Sequence, residues 1–137
     1  MSAEMKPVLE GITVLADDVP TLAKFYREAL GMEPTVEQAH YVAFSGNALR
    51  FAIFSRAGMG PHTNDHPDYR RPFSGQAFEL NFQCADAGEV AARFAHICAY
   101  GGTAVAAPKE MAWAHFTGFF ADPEGNIHSL FADLSRV

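Results

Sequence analysis

The chain has 137 residues, 49% of them hydrophobic, enough for one domain with a packed core and too apolar for a disordered chain. Its formal net charge is -6, and Arg70-Arg71 is its one adjacent basic pair, which argues against nucleic acid and anionic membranes as partners. No apolar run approaches the length of a membrane span, and residues 1–7 carry Glu4 and Lys6 in place of a signal-peptide core. Cys84 and Cys98 are the two cysteines, expected to be reduced, so the expectation is a cytoplasmic protein without a disulfide.

Taken in order, residues 12–16 are β-rich and apolar and predict a buried strand. Asp17 and Asp18 then offer an N-cap, and Pro20 suits a first helical turn. Leu22, Tyr26 and Leu30, with Phe25 and Ala29 beside them, form one helical face, and Gly31 supplies the stop. A strand is expected over 33–38, and a hairpin over 40–45 and 49–54 about Gly46-Asn47. Residues 56–76 hold Gly58, Gly60, Pro61, Pro67, Pro72 and Gly75 and read as a long connecting loop.

The order then restarts. Residues 78–84 predict a strand, and Asp86 caps a helix whose face is Val90, Phe94, Ile97 and Cys98. Gly101-Gly102 ends it, and residues 103–106 predict a short strand. Asp18 matches Asp86, Tyr26 matches Phe94 and Leu30 matches Cys98 at one constant offset, and Gly31 matches Gly101 after a two-residue insertion. Such a repeat is a duplicated supersecondary unit, strand-helix-strand-strand-strand in each half. The halves are about 8–55 and 77–132, joined by 56–76 within a single domain over 1–137.

The second half closes on a hairpin. Asp122, Pro123 and Gly125 fit successive positions of a type I turn followed by a left-handed residue. That turn sets Phe119 opposite Ser129 and Thr117 opposite Phe131. Because strand side chains alternate between faces, Trp113, His115, Thr117, Phe119, Ile127, Ser129 and Phe131 share one face. Phe116, Phe120, His128 and Leu130 share the other.

This duplication resembles the vicinal oxygen chelate superfamily. The likeness rests on Asp18, Phe25-Tyr26 and Leu30-Gly31 in the first copy, and on Asp122-Pro123-Glu124-Gly125-Asn126 in the second. The superfamily includes glyoxalase I, extradiol dioxygenases, and bleomycin and fosfomycin resistance proteins. The resemblance covers about 8–132 and implies an α+β fold in which two tandem βαβββ modules of mostly antiparallel sheet form a groove. It also implies a homodimer, since many members pair modules across two chains.

Metal-dependent members draw ligands from the first and last strand of each module. The resemblance carries those positions to Gly11, Ala52, Glu79 and Ser129, of which only Glu79 is a ligand type. The expectation is therefore no tightly held metal and no cofactor. A one-residue slip would bring His128 to the ligand position but would also turn Leu130 into the groove, so His128 is expected on the helix side.

On the groove face the expected ligand-binding set is Thr13, Tyr41, Arg50, Glu79, Asn81, Gln83, Trp113, His115, Thr117, Phe119 and Ser129. Trp113 and Phe119 suit stacking on a flat ligand, or Trp113 simply closes one end of the sheet. Glu79 and His115 are the candidate acid–base pair, with alternatives for each. Glu79 either faces the ligand or pairs with Arg50, and His115 either reacts or is a satisfied, partly buried histidine. Asn81 and Gln83 either meet the ligand or bond each other or water. His62 and His66 lie between prolines in a polar stretch and read as surface histidines.

Two functional classes follow. One is a small-molecule-binding protein of the bleomycin-resistance type, taking an aromatic or amphipathic compound. The other is an enzyme, a glyoxalase-like lyase or isomerase or a dioxygenase, in its metal-free form using Glu79 or His115.

Overall fold

The structure is a computed structural model and describes residues 6–70 and 75–135. Readings that fall on residues 1–5 and 71–74 lie outside it.

Each half opens with a strand and a capped helix. β1 (Gly11–Ala16) leads to α1 (Val19–Glu28), where Asp18 Oδ1 accepts the Thr21 N–H at 3.1 Å and Pro20 fills the first turn. α1 buries Leu22, Phe25 and Tyr26, and Gly31 ends the turn beyond it at φ 70°. β2 (Glu33–Glu37), β3 (Tyr41–Ser45) and β4 (Arg50–Ser55) follow. In the second half β5 (Asn81–Gln83) precedes α3 (Ala87–Ala99), whose N-cap Asp86 accepts the Glu89 N–H at 2.8 Å. The Glu89 carboxylate reaches back to the Ala85 N–H at 2.7 Å, a capping-box exchange that satisfies a second orphan donor. β6 (Thr103–Glu110), β7 (His115–Ala121) and β8 (Ile127–Asp133) complete the chain, and α2 (Arg56–Met59) lies between the halves.

The strands form two four-stranded sheets, ordered β1-β4-β3-β2 and β5-β8-β7-β6. In each, the first and last strands of the half pair in parallel and the other pairs are antiparallel. Thr13 stands opposite Ala52 in the first sheet as Asn81 stands opposite Ser129 in the second, so the duplication read from the sequence is repeated in hydrogen-bond register.

Three elements differ from the sequence reading. β5 spans three residues, because side chains replace the ladder ahead of it. The Leu80 N–H is taken by His128 Nδ1 at 3.1 Å, while Gln76 Nε2 donates to the Phe78 and Ile127 carbonyls. β6 runs on to Glu110 and β7 starts only at His115, because residues 111–114 make a turn in which the Met111 N–H bonds the His115 carbonyl at 2.7 Å and Ala114 has φ 62°. Trp113 therefore sits in a turn and not in the strand. The connection at 56–76 is partly ordered by its own bonds. Ser55 Oγ accepts the Gly58 N–H at 2.9 Å to cap α2, and 3-10 turns follow at Gly60–His62 and Pro67–Tyr69.

The helix-facing sides of both sheets meet in one core. Phe51 and Ile53 of the first sheet and Phe120 and Leu130 of the second pack with Leu22, Phe25, Tyr26, Val90, Phe94 and Ile97. Each such side chain gains about 1.5–3 kcal/mol from leaving water. Phe25 on α1 meets Phe120 on β7 at 6.2 Å, so the first helix packs on the second sheet as well. The helices also meet directly, since His96 Nε2 donates to the Glu28 carbonyl at 2.8 Å and thereby satisfies an orphan group at the end of α1.

The Asp122 hairpin forms with the expected register, Phe119 opposite Ser129 and Thr117 opposite Phe131, and with Gly125 at φ 91°. Its turn is also fastened to the first half. Asp122 is buried, and its Oδ1 accepts the backbone N–H groups of Glu124 and Asn126, each at 3.0 Å. Its Oδ2 accepts the Tyr26 hydroxyl at 2.7 Å. His128, 1% exposed on the helix side, accepts the Leu80 N–H at Nδ1, so its ring N–H is Nε2, which faces both Tyr26 Oη at 2.9 Å and Asp122 Oδ2 at 3.5 Å. Glu124 adds a clamp, its two carboxylate oxygens accepting the Asp17 and Asp18 N–H groups at 3.2 and 3.0 Å.

Tyr26→Phe removes both the donor to Asp122 and the acceptor for His128 without changing the ring. It is expected to lower unfolding free energy by about 1–3 kcal/mol, read from urea denaturation; a loss below the measurement error would show that the network is idle.

Stability at acid pH should depend on Asp122. Burial alone would raise its pKa, but the hydrogen bonds from His128, Asn126 and Tyr26 outweigh burial and hold it below the usual carboxylate value. A folded-state pKa below the unfolded value, about 3.9, means its stabilisation is complete above that value and is lost as pH falls through the depressed one. Asp122→Asn should therefore flatten the acid limb of a stability-versus-pH curve. An unchanged limb would assign acid sensitivity to other groups.

Candidate functional site

The sheet faces turned away from the helices carry the candidate residues. On the second sheet, alternation along β7 and β8 brings His115, Thr117, Phe119, Ser129 and Phe131 to one side. With Glu79, Asn81 and Trp113 they line a cavity of about 320 Å³. Its floor is polar. Thr117 is 3% exposed, and its buried hydroxyl has no hydrogen-bond partner among the described residues. Ser129 Oγ donates to Asn81 Oδ1 at 2.6 Å. One wall is the His115 ring stacked on Phe131, centroids 4.7 Å apart and planes 13° apart. Trp113 stands at the mouth, 60% exposed on its turn, and Glu79 is exposed at the rim.

Thr13 and Tyr41 line a different cavity, of about 370 Å³, on the first sheet. Leu15 and Phe54 complete its sheet side, and Met59 and Tyr69 fold over it from the segment after β4. Among the described residues the two cavities share no lining residue, and no first-half candidate lines the second-sheet one.

Gln83 lies opposite Phe131 on the same face but outside the lining. Arg50 pairs with Glu10, Nε to Oε2 at 2.7 Å, and not with Glu79. Strand register explains the choice: Arg50 stands opposite Gly11, and Glu10 directly precedes Gly11 at the entry to β1. The hydrogen bond from Arg50 holds the Glu10 carboxyl below its ordinary range. Asn81 bonds Ser129 and not Gln83.

The sequence reading had already put Phe131 on this face, and Leu15 was within its reach, since it lies two positions from Thr13 on the same strand. Met59 and Tyr69 were not, because their segment has no period that would aim them at the sheet. His62 rests near Phe54, with ring centroids 6.1 Å apart, and His66 Nδ1 accepts the Asp68 N–H, so the two histidines serve local contacts in separate turns.

The residues do not fit a divalent metal at the family positions. Gly11 and Ala52 offer no donor, and the Arg50 guanidinium lies 2.8 Å from where a Cβ at position 11 would sit, putting a cation where a ligand side chain would project. The Ser129 hydroxyl is engaged with Asn81, leaving Glu79 as the one good donor. Among the described residues no three His, Cys, Asp or Glu side chains gather as a metal-binding group.

Two βαβββ halves with a parallel first-to-last strand pair in each sheet define a glyoxalase-type architecture. The model of the Glyoxalase/Bleomycin resistance protein/Dioxygenase superfamily matches residues 9–129, and the chain belongs to that family. It is similar to a glyoxalase/bleomycin resistance protein/dioxygenase family enzyme from Burkholderia phytofirmans PsJN, with a TM-score of 0.83 at 18% identity over 92% of this chain and 98% of that one. It is also similar to a glyoxalase/bleomycin resistance protein/dioxygenase from Nocardioides, with a TM-score of 0.81 at 18% identity over 97% and 87% of the two chains. A lactoylglutathione lyase from Agrobacterium tumefaciens matches with a TM-score of 0.72 at 18% identity over 96% and 97%. At these identities the likeness is one of fold. No curated protein matches the chain.

Proposed function

We propose that this chain is a cytoplasmic small-molecule-binding member of its family, of the bleomycin-resistance type, which holds an aromatic or amphipathic compound without a tightly bound metal. The observation that carries this reading is the second-sheet cavity, in which aromatic walls surround a few polar groups, while two of the four family metal positions, Gly11 and Ala52, have no donor. No helix among the described residues is long and apolar enough to cross a membrane. A second reading is a metal-free lyase or isomerase, favoured by Glu79 and His115 lining one cavity, where a carboxylate and an imidazole can relay a proton.

Thermal-shift screening against a metabolite library should find a stabilising compound, since a ligand of the native state raises stability by mass action. Elemental analysis after dialysis without chelator should give divalent metal far below one per chain. Near-stoichiometric Zn, Ni, Fe or Mn that is lost on Glu79→Ala would overturn the metal-free reading and put enzyme chemistry first.

The same reading includes a homodimer, in which a second copy covers the bare sheet faces and brings a first-sheet cavity to a second-sheet one. Sedimentation at micromolar concentration should show a species of twice the 14.9 kDa chain mass; the single chain alone would remove the dimer.

A further inference from the structure

The first-sheet cavity has a lining unlike that of the second. Leu15, Phe54 and Tyr41 stand in one row across β1, β4 and β3, since Phe54 is opposite Leu15 in one ladder and opposite Tyr41 in the other. The Tyr41 and Phe54 rings meet edge to face with centroids 6.1 Å apart, so the row makes a continuous apolar floor. Thr13 lines the cavity from the same face of β1 as Leu15. The cover comes from the segment after β4 and is held by its own bonds. Ser55 Oγ accepts the Gly58 N–H at 2.9 Å, the Met59 carbonyl accepts the Thr63 hydroxyl at 2.8 Å, and the Tyr69 N–H donates to the His66 carbonyl at 3.2 Å. Met59 and Tyr69 are thus positioned by backbone bonds of their own segment, and about 370 Å³ lies between them and the floor. Packed apolar side chains rarely leave a gap of that size, which is at the small end of ligand pockets. Among the described residues no Asp, Glu, Lys or Arg lines it, and its polar side chains, Thr13, Tyr41 and Tyr69, are neutral. A charged compound would lose its water there and meet no opposite charge. The flexible Met59 thioether adapts to the shape of an apolar one.

We propose that the first-sheet cavity is a second ligand site, separate from that of the second sheet, which takes an uncharged, largely hydrocarbon compound of one or two rings. The compound lies on the Leu15–Phe54–Tyr41 floor, with Met59 and Tyr69 closing over it. Apolar contact supplies the affinity, and the cost of stranding a charge supplies the selectivity.

The test uses ethylbenzene, benzoate and benzylammonium, probes of similar size that are neutral, anionic and cationic. Met59 is one of five methionines. Its methyl resonance, in protein labelled with ¹³C-methyl methionine, is assigned by its loss in Met59→Leu and reports this site. Trp113 is the sole tryptophan and lines the other cavity, so its indole N–H resonance reports that one. Ethylbenzene should move the Met59 methyl resonance saturably and bind about tenfold or more tightly than either ion. Thr13→Phe fills the cavity from an exposed position on an edge strand. It should abolish the Met59 titration and leave the Trp113 resonance of the free protein in place, which shows the fold intact; Thr13→Ser should keep the titration. If ethylbenzene leaves Met59 unmoved, or both ions bind as tightly, the inference is wrong. An unchanged titration in Thr13→Phe would put the compound elsewhere, and one dissociation constant for both reporters would mean one shared site; either result also overturns it. The second-sheet binding function stands or falls separately, on the Trp113 resonance.

Discussion

One buried carboxylate organises much of the molecule. Asp122 closes its own turn through the Glu124 and Asn126 N–H groups and, with its other oxygen, takes the Tyr26 hydroxyl from the first half. A charged group in such a setting is tolerated only because every side of it is met by a donor. The consequence spreads outward. Tyr26 orients His128, His128 holds the Leu80 N–H, and Leu80 is flanked by Glu79 and Asn81 at the rim of the candidate cavity. Helix, hairpin and cavity edge are thus linked by three consecutive side-chain hydrogen bonds.

The parts of the fold legible in the sequence were those governed by local chemistry. Asp18 and Asp86 announced helix starts because a short carboxylate is a good acceptor for the first free N–H groups, and Gly31 announced an end because its φ of 70° suits glycine. Asp122-Pro123-Glu124-Gly125 fixed a register, and from the register came which residues share a face. What escaped was set by long-range partners or by residues with no turn signature. Nothing in Gln76 or His128 advertises that its side chain will substitute for a ladder and shorten β5. Ala114 adopts a left-handed backbone without being Gly, Asn or Asp, which hid the turn that carries Trp113.

The candidate site divides along the same line. Of the second-half residues, His115, Thr117, Phe119 and Ser129 fell into one cavity because they hang on a single hairpin of known register. First-half residues were assigned through the repeat, which aligns backbones but says nothing of what covers them. There Met59 and Tyr69 lie over the first sheet, and Arg50 turns to Glu10, giving that face a character the second does not share. The two halves keep the same scaffold and differ in the chemistry they display.

The Glu124 clamp has a kinetic side. Its carboxylate bonds residues 107 and 106 positions earlier, at the mouth of α1, and Tyr26 reaches 96 positions forward to Asp122. Contacts of such sequence separation close late, since the loop entropy must be lost before they repay it. The first helix can form and lie on its own sheet early, whereas its buried hydroxyl and its entry backbone find their partners only when the Asp122 hairpin is in place. The first helix is thus completed, at its entry and at its buried hydroxyl, by groups about a hundred residues further along the chain.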